Sequence, residues 1–298
     1  MKTIFTLVTS IFIFSATWAQ EDSLNKEKND TTRFIIGKKE IQIVDGDNGT
    51  DIKVKDKQIE GKKDNVEIHD DNDDEGDNLK SDSKHSGGFK GHWRGLDLGL
   101  NNYLSSDKSF TLKNEDEFMS LRTSRSINVN LNLLQQSFSL IGNQVGFVTG
   151  LGFEFYNYFF ENKNTIEENT MGVIVSKPLD LVNLEKTKLS MTYLTVPLLF
   201  EFQFPGQLKN SKRLRILGGV IGGLKLWSHT KYVFEDDGKQ KRKSWNDFNL
   251  RSLRYGFTGR VGYKQLNFYV NYYPVSLFEK NKGPELYPIA VGLSIVGL

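Results

Sequence analysis

The chain has 298 residues, 38% hydrophobic and 26% charged, and its 39 Lys and Arg set against 37 Asp and Glu leave a formal charge of +2. That balance, without a long basic stripe interleaved with aromatics, excludes a nucleic-acid partner recognised through charge. Cysteine is absent, which excludes disulfides, thiolate metal sites and a cysteine nucleophile.

The N-terminal segment, residues 1–19, reads as a signal peptide: Lys2 supplies a positive start, Ile4 to Phe14 form an apolar run, and Thr17-Trp18-Ala19 places small residues at the positions that signal peptidase reads. The run is shorter than a membrane-spanning helix requires, and a polar stretch follows at once. Gln20 is the expected mature terminus, and with no Cys beside it a lipid anchor is not expected.

Residues 20–90 are rich in Asp, Lys, Asn and Gly. Such a segment carries too little apolar material to offset the ordering entropy of a core, so a mostly disordered extension is expected. Within it, Phe34, Ile36, Ile41 and Ile43 lie on one side of Asp45-Gly46-Asp47-Asn48-Gly49, with Ile52 and Val54 on the other. Alternation on both sides of a Gly/Asn/Asp turn predicts a β-hairpin over residues 33–55, marginal without a partner. Residues 64–82 form an acidic linker holding Asp64, Glu67, Asp70, Asp71, Asp73, Asp74, Glu75 and Asp77. The spacing of Asp71, Asp73 and Glu75 before Gly76 has some of the look of a calcium loop. Position 12, however, is Asp82 rather than Glu, and no amphipathic helices flank the loop, so a solvated, self-repelling linker is the reading adopted.

After Gly91 the composition turns to Gly, Leu, Val, Phe and Tyr, and residues 91–298 read as an all-β, closed antiparallel transmembrane β-barrel. Eight strands are predicted, at about Trp93–Asn101, Ser126–Leu134, Gln144–Phe159, Leu189–Phe204, Arg213–Trp227, Leu250–Tyr263, Leu266–Tyr273 and Tyr287–Val296. Thr170 to Ser176 is read as an extension of a hairpin or as one more strand. In the last strand Tyr287, Ile289, Val291, Leu293 and Ile295 alternate with Pro288, Ala290, Gly292 and Ser294. In the two before it, Leu266, Phe268, Val270 and Tyr272 alternate with Asn267, Tyr269, Asn271 and Tyr273, and the large residues from Leu253 to Tyr263 alternate with Arg254, Gly256, Thr258, Arg260 and Gly262. One face suits lipid and the other a crowded polar interior. A soluble sandwich or lipocalin-like barrel would use the same residues as core.

Connections alternate in length. Asn102–Arg125, Phe160–Lys188, Ser228–Asn249 and Pro274–Leu286 are long, whereas Gln135–Asn143, Pro205–Lys212 and Lys264-Gln265 are short. Long loops are therefore expected outside and short turns in the periplasm. Tyr156, Tyr158, Trp227, Tyr272, Tyr273 and Tyr287 near one end, and Trp93, Phe204 and Tyr263 near the other, are expected as interfacial girdles.

The stretches GHWRGLDLGLNNYL from Gly91, LSMTYLTVPLLFEF from Leu189, YGFTGRVGY from Tyr255 and GPELYPIAVGLSIVGL from Gly283 resemble the outer-membrane β-barrel proteins of the Bacteroidetes, broadly the PorT-like barrels. The resemblance covers roughly the last two thirds of the chain. It implies an outer-membrane location and, for the PorT-like members, a secretion or assembly accessory. The chain ends in Leu298 rather than the aromatic residue familiar from many barrels, so the barrel-insertion machinery has to accept Leu.

Alternation sends Glu201 and Arg260 inward near one end of the barrel, Glu154 and Arg254 inward near the other, and Asp97 onto the polar face of the first strand. Internal charge pairs are expected, with a charged ion pathway as the competing reading. Gly218, Gly219, Gly222 and Gly223 lack the Gly-Lys-Ser/Thr of a phosphate loop and are read as close packing inside a curved wall. Of the histidines, His69 and His85 fall in the polar extension, His92 at the barrel entrance and His229 near an outer loop. A lipid-ester hydrolase would draw on Ser228, His229 and Asp236, but spacing alone does not bring nucleophile and base together. No catalytic, cofactor-binding or metal residue is therefore assigned. The expected role is a non-enzymatic structural or interaction protein of the cell envelope; a secretion accessory, a narrow porin-like pore and the hydrolase are the alternatives. The expected partners are outer-membrane lipid and lipopolysaccharide, the barrel-insertion machinery during biogenesis, and an envelope protein or the cell wall.

Overall fold

The computed structural model of the protein describes residues 30–36, 39–46, 49–56, 89–181, 183–204 and 214–297. The expected signal peptide at 1–19, the expected acidic linker at 64–82 with its calcium reading, and the expected Pro205–Lys212 connection lie outside these residues. The chain divides into two compact units.

In the N-terminal unit, β1 (Asp30–Ile36), β2 (Lys39–Gly46) and β3 (Gly49–Asp56) form a three-stranded sheet in the order β1-β2-β3. β2 and β3 are antiparallel, with Gly46 opposite Gly49, Ile43 opposite Ile52 and Ile41 opposite Val54. The expected single run from Arg33 to Val44 is divided into two strands. The apolar residues change phase between Phe34 and Ile36 on one side and Ile41 and Ile43 on the other, so one continuous strand would send the two sets to opposite faces.

The second unit contains β4 (Gly95–Leu104), β5 (Ile127–Ile141), β6 (Val145–Phe159), β7 (Asn164–Glu168), β8 (Ile174–Pro178), β9 (Leu184–Gln203), β10 (Leu214–Glu235), β11 (Lys239–Trp245), β12 (Leu253–Tyr263), β13 (Leu266–Tyr272) and β14 (Tyr287–Val296). Eight of these strands close into an antiparallel ring, β4-β5-β6-β9-β10-β12-β13-β14, with β14 returning to pair with β4 from Tyr287 opposite Leu104 to Val296 opposite Gly95. No helix among the described residues is long and apolar enough to cross a membrane, and a closed ring of strands crosses without one because every wall strand finds neighbours on both sides.

The eight predicted strands are the eight strands of the ring, and three of them are markedly longer than expected: β9, which begins at Leu184 rather than Leu189, β5 and β10. β5 runs on to Ile141, so the expected Gln135–Asn143 connection shrinks to the turn at Gly142, Asn143 and Gln144, where Gly142 takes a φ of 54°. Register shifts between Asn132 and Leu134 and between Ser139 and Ile141 carry the extra length. β10 runs on to Glu235 and returns as β11, with His229 opposite Trp245 and Glu235 opposite Lys239, so much of the expected Ser228–Asn249 loop is a hairpin. β7 and β8 make a separate hairpin within the long connection between β6 and β9.

The faces alternate as the sequence predicts. Along β12 every second residue is exposed, from Leu253 to Tyr263, while Arg254, Thr258 and Arg260 are buried; along β13, Asn267, Tyr269 and Asn271 are buried. Leu98, Leu100, Phe147, Leu198, Phe200, Ile216, Phe257, Phe268, Val291 and Leu293 carry an exposed apolar surface around the ring. Hydrocarbon outside such a wall removes its cost, whereas water would not.

The interior of an eight-stranded barrel is just wide enough for side chains to fill. Here large inward residues lie against glycines. A Cβ at Gly99 would fall 2.4 Å from the Tyr269 hydroxyl, at Gly256 2.7 Å from the Tyr273 ring, and at Gly150 2.6 Å from the Trp93 indole. In the expected Gly cluster the roles divide. Gly219 and Gly223 point inward, the first against the Leu198 carbonyl and the second against Arg254, whereas Gly218 and Gly222 are exposed on the outer face.

Candidate functional site

Buried side chains occupy the lumen from the short-turn end to the long-loop end. At the short-turn end the segment before β4 enters the ring. The His92 backbone N–H donates to Glu201 Oε2 (2.9 Å) and its Nδ1 lies 2.7 Å from Glu201 Oε1. Gln135 Oε1 accepts from the backbone N–H groups of Trp93 (2.7 Å) and Arg94 (2.8 Å), and its amide donates to the Gly91 carbonyl (2.9 Å). Gln203 donates to the Lys90 carbonyl (2.8 Å) and Asn267 to the His92 carbonyl (3.3 Å). Trp93, fully buried, packs with Phe89, Val148, Leu199 and Leu217. An extended segment has no ladder partner for its peptide groups inside a barrel, so inward amide and carboxylate side chains supply the bonds.

Above this plug, Arg260 makes a forked pair with Asp97, Nη2 to Oδ2 at 2.8 Å and Nη1 to Oδ1 at 3.2 Å. Asn130 and Asn132 donate to the same carboxylate at 3.2 and 3.1 Å, Asn128 donates to Asn130, and the Tyr269 hydroxyl donates to Asn128 (2.7 Å). The three asparagines alternate along β5 and so share its inward face.

Nearer the other end, Arg254 pairs with Glu154 at 2.5 Å, and the Tyr273 hydroxyl donates to the same Glu154 oxygen (2.6 Å). The guanidinium sits 3.6 Å from the Tyr193 ring centroid, 3.9 Å from Tyr273 and 4.7 Å from Tyr156. Stacking against aromatic faces stabilises a cation where water cannot reach it. The expected internal charge pairs thus form as Glu154–Arg254 and Asp97–Arg260, while Glu201, placed near Arg260 by alternation alone, takes His92.

A cap covers the long-loop end. A short 3-10 helix (Asn114–Met119) is held by the Tyr103 hydroxyl, which donates to the Met119 carbonyl, and by Asn164, which donates to the Phe118 carbonyl (3.0 Å). Ile174 N–H donates to the Lys282 carbonyl (2.9 Å), joining β8 to the β13–β14 connection. Met119, Ile166, Ile174, Phe248, Phe278 and Leu286 pack onto Tyr103, Tyr156, Tyr158 and Tyr273. Several expected girdle residues therefore belong to the interior: Trp93, Tyr156, Tyr158 and Tyr273 are buried, whereas Trp227, Phe204 and Tyr263 remain on the surface. Tyr156 and Tyr158 are two and four residues from Glu154 on one strand, and that spacing puts them on its inward face.

In the cap, burial pushes the Asp116 carboxyl above the ordinary aspartate range, Glu115 and Glu285 add to the shift, and Lys113 opposes it. On the β7–β8 hairpin, Lys177 is raised by its hydrogen bond to Glu167 (2.6 Å).

The residues considered for ester hydrolysis are not assembled as a triad. The Ser228 hydroxyl donates to the Asn246 carbonyl (2.6 Å), and the His229 ring lies 4.6 Å from that of Trp245. Consecutive strand residues point to opposite faces, and Asp236 is exposed at the hairpin tip. His69 and His85 lie outside the described residues, as do Asp71, Asp73 and Glu75. Among the described residues no group of three or more His, Cys, Asp or Glu is arranged to hold a metal ion.

A closed antiparallel ring with an apolar exterior and a polar, charge-paired interior defines a transmembrane β-barrel. Residues 81–278 match the family described as outer membrane protein beta-barrel domain, and the chain belongs to that family. Its place is the outer membrane. The match stops before β14, the strand that closes the ring. No curated protein matches the chain.

Proposed function

We propose that the protein is a non-conducting, non-enzymatic barrel with a structural or interaction role in the outer membrane. The observation that carries this reading is the filled lumen: the Trp93 plug, the Asp97–Arg260 and Glu154–Arg254 pairs and the loop cap succeed one another along the axis. A pore needs a continuous wet path, and here inward side chains and loops occupy it.

Connection length supports one orientation. The start of β4 and the end of β14 lie at the end that carries the Lys264-Gln265 turn, while the cap occupies the other. Short turns and the N-terminal extension are periplasmic and the cap faces outward, as in bacterial barrels generally. A signal peptide at 1–19 delivers the chain, and the β1–β3 sheet is a folded element for contact with an envelope protein or the cell wall. That sheet also supports the accessory role implied by the PorT-like resemblance.

Planar-bilayer recording tests the closed lumen. Folded protein, identified by heat-modifiable migration, is expected to give no discrete conductance steps; reproducible unitary events overturn this reading in favour of a narrow pore. The lack of native cysteine permits a clean test of orientation. Met171→Cys is expected to react with an impermeant maleimide on intact cells, and Lys264→Cys only after the outer membrane is permeabilised. The reverse pattern overturns the orientation.

A further inference from the structure

At the short-turn end, Lys90, Arg94 and Lys264 line one open cleft of about 590 Å³, together with Gly91, Gln135 and Gln265. All three cations are exposed, and among the described residues no carboxylate lines the cleft and none of the three makes an ion pair. The walls are fixed. Val296 N–H donates to the Gln265 carbonyl (2.8 Å), Gly297 N–H to the Arg94 carbonyl (2.9 Å), and Gln135 holds the backbone at Gly91, Trp93 and Arg94.

A second depression of about 570 Å³ lies on the outer wall, lined by Leu214, Val261, Leu266, Phe268, Leu293 and Ile295, and it shares Lys264 and Gln265 with the cleft. These apolar side chains are among those exposed on the lipid side of the ring. A cationic cleft and an apolar groove thus meet at the β12–β13 turn, where Lys264 has a φ of 56°.

We propose that the two together bind one anionic glycerophospholipid of the periplasmic leaflet, its phosphate among Lys90, Arg94 and Lys264 and an acyl chain along the groove. Clustered Lys and Arg beside a membrane attract anionic headgroups. The joined groove argues for a lipid rather than a free anion, because inorganic phosphate would fill the cleft and leave the apolar wall unused. The leaflet assignment rests on the orientation proposed above.

Native mass spectrometry of the folded full-length protein tests the site, with phosphatidylglycerol, phosphatidylcholine and inorganic phosphate as probes. The expected result is one phosphatidylglycerol retained in preference to phosphatidylcholine. Substitution of the three cations by Gln weakens that retention about fivefold per cation, on the order of a hundredfold in all. The substituted positions are exposed, and unchanged heat-modifiable migration establishes that the variant is folded. Equal retention of the two lipids, or retention indifferent to the three substitutions, marks ordinary boundary lipid and overturns the proposal. Inorganic phosphate binding as tightly as phosphatidylglycerol overturns it in favour of a free-anion site. The lipid assay does not depend on orientation. Reversed maleimide labelling removes the leaflet assignment, whereas a failed lipid assay with the expected labelling removes the site alone.

Discussion

The Glu154 carboxylate is engaged by Arg254 and by the Tyr273 hydroxyl, deep inside a low-dielectric wall. Replacing one member of such a pair leaves an uncompensated buried charge and costs about 3–5 kcal/mol, whereas replacing both with apolar groups is far less harmful. Glu154→Leu is therefore expected to lower the temperature at which the folded band converts on heating, and Glu154→Leu with Arg254→Met to recover most of the loss. Equal destabilisation in single and double variants would contradict the pairing. Adjacent glycines offer a second contrast. A Cβ at Gly219 would fall 2.1 Å from the Leu198 carbonyl, whereas at Gly218 the nearest atom is 3.9 Å away. Gly219→Leu should abolish the heat-modifiable form and Gly218→Leu should retain it. Alternation in the sequence was enough to send Asp97, Glu154, Glu201, Arg254 and Arg260 inward, because side-chain period is two in any strand, but the equally buried Arg215 and Lys188 were not singled out. It did not show partners. Arg260 reaches Asp97 from β12 to β4 across two intervening strands, and that height depends on strand tilt and stagger, which spacing along the chain does not encode. The plug at His92 was missed for the same reason, although the alternating Asn128, Asn130 and Asn132 were a legible sign of a polar network.

At the scale of elements, the ring and its additions respond differently to change. β11 pairs only with the upper part of β10, outside the closed circuit. Replacing the Thr230–Ser244 hairpin by a short turn is expected to leave heat-modifiable migration intact; loss of the folded band would make that hairpin part of the barrel's stability. The cap carries a pH dependence. Asp116 has a folded pKa raised above its unfolded value, so folding binds the proton more tightly. The resulting stability is fully present below the ordinary aspartate value of about 3.9 and is lost as pH rises through the raised one. Hydrogen exchange of residues 114–119, corrected for intrinsic rate, should show more protection at pH 4 than at pH 7, and Asp116→Asn should flatten the difference. An unchanged pH dependence in that variant would assign it elsewhere. The membrane-level strands were readable because one face is apolar. The upward reach of β10 and the return of β11 were not, since Lys239-Gln240-Lys241-Arg242-Lys243 carries no apolar alternation.

At the scale of the molecule, closure of the ring makes the wall a membrane-spanning element and gives its filled interior functional meaning. An open sheet would leave two edges of unpaired peptide groups in hydrocarbon, each costing several kcal/mol. Closure depends on the β14–β4 seam, and β14 lies beyond the stretch that matches the outer membrane protein beta-barrel domain. The seam is open to a direct chemical test because the native chain contains no cysteine. Leu98 and Leu293 are register partners across it, and facing residues of an antiparallel pair have Cα atoms about 4.5–5.5 Å apart, within disulfide reach. Mild oxidation of Leu98→Cys with Leu293→Cys in isolated outer membranes is predicted to give an intramolecular disulfide, visible as altered migration after unfolding and reversed by reductant. Leu98→Cys with Val220→Cys, on non-neighbouring strands, should give none. Free thiols in the seam pair, or a bond that forms equally in the control, would contradict a closed eight-stranded wall.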